Sequence, residues 1–135
     1  MNLDKEKILK NFDKLPADVR REFSLLMNKY DQKTKESLIR EDFLSFVKHV
    51  WPDFIEGKHH KEIADKFNKL AEGKIKRLII NMPPRHTKSE FGSYLLPAWM
   101  VGKNPKLKII QSTNTTELSV RFGRKAKALI DSPEY

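Results

Sequence analysis

The first half of the chain repeats apolar residues at helical spacing. Val19, Phe23, Met27 and Tyr30 recur every three or four positions and predict an amphipathic helix over Ala17–Tyr30. Pro16 precedes it, where proline is tolerated. The polar run Asp31-Gln32-Lys33-Thr34 predicts a break. Ile39, Phe43, Phe46, Val47 and Val50 then mark a second helix, ended by Pro52. A third begins after Gly57, with Ile63, Phe67 and Leu70 on its apolar face and Gly73 as its stop.

The rhythm changes after Gly73. Leu78-Ile79-Ile80 is a short aliphatic run bounded by Met82-Pro83 and predicts a buried strand. Ser89–Met100 predicts a helix that Pro97 kinks or shortens. Gly102, Asn104 and Pro105 form a break, and Leu107–Gln111 predicts a second strand. Asn114 and Glu117 have capping-box spacing for a last helix. That helix carries Leu118, Phe122, Leu129 and Ile130 and is stopped by Ser132-Pro133. The expectation is an α/β fold with two parallel strands separated by a helix. Two strands do not make a stable doubly wound sheet, so further residues are expected to complete it.

Charge sharpens the division. Of 27 Lys and Arg against 18 Asp and Glu, the excess of +9 falls wholly in residues 58–135. A basic half suits a polyanion, either nucleic acid or nucleotide phosphates, or is a lysine-rich solvated surface. The chain has no cysteine, which excludes disulfides and thiolate metal sites. No run is long enough to span a membrane, and MNLDKEKILKNFDKL lacks the apolar core of a secretion signal, so a cytoplasmic setting is expected.

The sharpest chemical signal is RLIINMPPRHTKSE, Arg77–Glu90. An aliphatic run, a tight turn and Lys88-Ser89 at a helix start form the layout of a phosphate-binding loop. Met82 and Thr87 stand where the generic signature has glycine. Thr87 is the awkward one, because a β-branched residue tolerates positive φ badly. Bound nucleotide would place Lys88 on the β- and γ-phosphates and the Ser89 hydroxyl on Mg2+, with Arg85 adding charge. Backbone N–H groups from Arg85 through His86 to Glu90, after Pro84, would point at the phosphates. The alternative is a proline-anchored surface turn.

Two longer stretches, HVWPDFIEGKHHKEIADKFNKLAEGKIKRLIINMPPRHTKSE (His49–Glu90) and PAWMVGKNPKLKIIQSTNTTELSVRFGRKAKALIDSPEY (Pro97–Tyr135), together resemble the N-terminal ATPase domain of bacteriophage large terminase subunits, the DNA-packaging motors. The resemblance covers residues from about Glu41 onward. It implies a partial P-loop NTPase core of the RecA-like (ASCE) kind at 58–135, preceded by an N-terminal helical region at 1–57. It implies ATP and Mg2+ as cofactors, with Lys88 and Arg85 as catalytic residues and Ser89 on the metal. Trp51, His59 and His60 would lie beside the adenine. Double-stranded DNA, the portal protein, the small terminase subunit and further copies of the chain would be its partners in a bacterial host. The family's acidic strand, catalytic glutamate and nuclease domain would lie beyond Tyr135, so this stretch would not be a competent motor by itself. Another P-loop DNA motor, such as a helicase or transposition ATPase, shares the same chemistry. A non-enzymatic basic DNA-binding or adaptor protein is the remaining reading. Arg121, Arg124, Lys125 and Lys127 crowd the last helix as DNA contacts or as a solvated face. The four histidines are too scattered in sequence for a metal-spacing argument.

Overall fold

A computed structural model describes residues 16–135; the first fifteen, including the stretch read above as lacking a secretion signal, lie outside the described residues. The chain divides into two compact units, Met1–Ser37 and Leu38–Tyr135. Its helices among the described residues are α1 (Ala17–Glu41), α2 (Phe43–Val50), α3 (Lys58–Ala71), α4 (Lys88–Glu90), a π-helical turn (Phe91–Leu95), α5 (Leu96–Lys103) and α6 (Thr116–Ile130).

There is no strand among the described residues. This corrects the α/β expectation and removes the parallel-strand P-loop core. Arg77–Met82 and Leu107–Gln111 are non-helical, but neither has a ladder partner among the described residues. A strand exists only when a neighbour takes up its N–H and C=O groups. No neighbour among the described residues does so, and the aliphatic runs are unpaired there.

The break expected at Asp31–Thr34 is also absent. That run contains neither Gly nor Pro, and α1 continues through it to Glu41, with the Thr34 hydroxyl donating back to the Tyr30 carbonyl at 2.9 Å. None of its residues is fully buried; Leu25 and Leu26 are exposed. The true break is Asp42, whose extended backbone and side chain cap α2. One Asp42 oxygen accepts from the Ser45 N–H at 2.7 Å, and the other accepts from Asn68 Nδ2 at 2.8 Å. Asn68 in turn accepts from the Phe43 N–H at 2.9 Å, which clasps α3 to the start of α2. Burial pushes the Asp42 carboxyl up, but the bonds from Ser45 and Asn68 outweigh it and hold the group below its ordinary value. Asp42→Ala is expected to cost about 1–2 kcal/mol in urea unfolding at neutral pH. Because the folded group titrates below the unfolded 3.8, this stabilisation is present above that pH and lost as acid protonates the folded carboxylate. The difference between wild type and variant therefore narrows below pH 3.8.

The core of the second unit is aromatic. Phe43 is fully buried and meets Phe67, Phe91 and Trp99 edge-on, with centroids 5.0, 5.4 and 5.5 Å away. Trp99 donates its indole N–H to the Ile39 carbonyl at 3.1 Å, satisfying an acceptor in the last turn of α1.

Proline at 97 acts through helix register. It lacks the N–H that the Ser93 carbonyl would ordinarily receive. The helix widens into the π turn just before it, and Ser93 accepts from Gln111 Nε2 at 3.0 Å instead. The expected kink is thus a change of register. Near the end of α5 the chain passes close to Tyr135. A Cβ at Gly102 would lie 2.6 Å from the tyrosine hydroxyl, which donates to the Ala98 carbonyl at 2.8 Å. α6 is capped by Thr115, whose hydroxyl accepts from the Leu118 N–H at 3.3 Å, one residue beyond the expected Asn114.

Candidate functional site

The loop between Met82 and α4 holds two residues in the left-handed region, Arg85 (φ 65) and Thr87 (φ 58). Thr87 thus occupies a conformation that suits glycine, at a cost on the order of 1–2 kcal/mol. A relay of hydrogen bonds holds it there. The Gly57 N–H donates to His60 Nδ1 at 2.9 Å, which leaves the ring proton on Nε2. Nε2 donates to the Thr87 hydroxyl at 2.7 Å, and that hydroxyl donates to the His86 carbonyl at 2.7 Å. His60 is buried, with its ring against Phe54 and Phe91. Burial, and next the neighbouring His59, push its pKa below the ordinary 6.5; His86 acts the same way and Glu56 opposes.

His59, His60 and His86, scattered in sequence, come together through this relay. The His59 ring lies 3.9 Å from His60 and 5.8 Å from His86, centroid to centroid. His86 Nδ1 donates to the Pro84 carbonyl at 2.9 Å. This convergence depends on α3 meeting the loop, a long-range contact that residue spacing does not reveal. Glu90, expected to offer its backbone N–H to a phosphate, has its side chain engaged elsewhere. It receives Lys125 Nζ at 2.9 Å on both oxygens, joining α4 to α6.

The other residues singled out in the sequence are not gathered into one pocket. Pro84, Arg85, His86, Thr87, Lys88, Ser89 and Glu90 line a hollow of about 200 Å3. Trp51 and Glu90 line a second hollow with Val50, Tyr94, Leu95 and Lys125. His59 lines a third with Leu78–Met82, while His60 is buried between α3 and the loop. Lys88 and Ser89 are exposed, and Lys88 Nζ turns back to 3.5 Å from the Met82 carbonyl.

These findings correct the nucleotide reading. Small-molecule sites typically enclose about 300–1,000 Å3, more than the loop hollow offers. No strand lies beneath the loop, and no group of three His, Cys, Asp or Glu among the described residues could hold a metal ion. ATP and Mg2+ are therefore unsupported, and so are the P-loop, Walker A and ATP-driven motor or hydrolase roles. The strand-free helical architecture is likewise inconsistent with the resemblance to terminase large subunits. No family model, curated protein or solved structure matches the chain. What the fold defines is a helical, basic polypeptide with an aromatic core and a histidine-clamped loop. No helix among the described residues is long and apolar enough to cross a membrane.

Proposed function

We propose that the chain is a non-catalytic module that binds double-stranded DNA through its phosphates. The observation that carries this reading is the solvent side of α6. Arg121, Arg124 and Lys127 are exposed there and make no ion pair among the described residues, opposite the buried Phe122 and Leu129. Lys125, turned to the other side, is held by Glu90. Three cations along about 9 Å of helix form a short basic strip suited to a phosphate backbone. Glu117 is the carboxylate nearest to this strip in the helix sequence. Exposed Lys76, Arg77, Lys106 and Lys108 add to the same excess.

Fluorescence anisotropy with a duplex of about 20 base pairs tests this. Three phosphate contacts predict that affinity falls about 40-fold between about 50 and 200 mM NaCl. Arg121→Glu with Arg124→Glu is expected to weaken binding at least about tenfold and to flatten the salt slope by about two. Absence of binding at the lower salt, or a double variant that matches wild type, would refute the reading.

A further inference from the structure

Leu78–Met82 combines core packing with an unpaired backbone. Leu78, Ile80 and Met82 pack against the core, while Ile79 is 85% exposed and Asn81 is exposed. That alternation is the mark of an extended chain lying half-sunk in the protein. Among the described residues, no backbone–backbone hydrogen bond engages this segment. Beside it runs a groove of about 400 Å3, whose other wall is His59, Glu62, Ile63 and Lys66 of α3. His59 Nε2 is buried without a hydrogen-bond partner.

We propose that this groove receives an extended segment of a protein partner, which pairs its backbone with Leu78–Met82. An extended guest supplies the missing hydrogen bonds, and its alternate side chains lie on Ile63 and Ile79. Charge selects the guest. Lys76 and Arg77, next to the segment, are exposed and make no ion pair among the described residues. Lys66 has only a 3.6 Å approach to Asp65, which Lys69 holds more closely. Against these stands Glu62, the groove's own carboxylate. The complementary guest is apolar at alternate positions and acidic at the end that meets Lys76 and Arg77. A second copy would bring the same cations to the joint, and nucleic acid has no peptide backbone to pair with this edge.

The probe is a synthetic peptide of alternating valine and threonine with two aspartates at one end. Amide hydrogen exchange of the full chain, read by nuclear magnetic resonance, should slow at Leu78–Met82 by at least about tenfold when the peptide is present in excess. A peptide N-methylated at alternate residues, which lacks donors, should give no protection. Lys76→Glu with Arg77→Glu should weaken the aspartate peptide and favour one carrying lysines in their place. Unchanged exchange at about 1 mM peptide, or equal binding of the N-methylated form, would overturn the proposal. Protection that rises with protein concentration without peptide would assign the groove to a second copy and overturn the choice of guest.

Discussion

Phe43→Ala is expected to destabilise the second unit by about 3–5 kcal/mol, measured by urea unfolding. The ring is fully buried and stands between the side chains of three other elements, Phe67 of α3, Phe91 of the π turn and Trp99 of α5. Its removal loses the transfer of an aromatic side chain, three edge-on contacts and the filling of the space they enclose. Small domains hold about 5–15 kcal/mol in all, so this one change removes a large share. Trp99 reports it independently, since loosening around Phe43 exposes the indole and shifts its emission to the red. Ile110→Ala is the matched control: this side chain is 96% exposed, and its loss should stay within about 0.5 kcal/mol. A Phe43→Ala cost below about 1 kcal/mol would mean that the four rings do not form the centre of the core.

The second large effect belongs to His60. Its replacement by alanine strips the Gly57 N–H and the Thr87 hydroxyl of their partner and removes a ring from Phe54 and Phe91. The expected cost is about 2–3 kcal/mol at pH 8. The wild type also carries a pH signature. The folded His60 has a lowered pKa, so below 6.5 the unfolded chain takes up a proton that the folded chain resists. Stability from this group is complete above that pH and declines as acid crosses the window between the unfolded and folded values. His60→Ala should lose this acid sensitivity as well as stability, so the two proteins converge on acidification. Thr87→Gly separates the relay from backbone strain. Glycine relieves the left-handed backbone but deletes the hydroxyl between His60 and the His86 carbonyl. A net loss of about 1 kcal/mol is expected because the lost bonds outweigh the relief. A Thr87→Gly protein more stable than wild type would show that the relay contributes little.

Helical spacing made much of the second unit legible. Phe43, Phe46 and Val47 on α2 and Ile63 and Phe67 on α3 were recognisable as core residues, and all are buried. Gly73, at φ 73, also lies just beyond α3, as a glycine stop should. These features depend on neighbours within a turn or two. The strands failed for the opposite reason: an aliphatic run such as Leu78-Ile79-Ile80 shows that a chain can pair, while the ladder must come from another segment. The basic loop misled in the same way. Lys88-Ser89 after a turn carries the side chains of a phosphate site, but the supporting sheet is not encoded in those residues. The histidine cluster was invisible because positions 59–60 and 86 meet only after α3 packs on the loop. Capping at Thr115 instead of Asn114 is the smaller kind of miss, a shift by one residue between two competent side chains.

The π turn before Pro97 also sets the rotational phase of the helix that contains it. One extra residue in that turn advances everything on one side by roughly 100° relative to a regular α-helix. Phe91, Leu95, Ala98 and Trp99 stand at i, i+4, i+7 and i+8, the spacing of one helical face, and all four are buried. The turn is thus a place where the chain takes up an extra residue while the side chains on both sides keep their direction. Loss of one residue there would restore a regular helix with Phe91 and Trp99 seven positions apart, within about 20° of one face, so both would stay against Phe43.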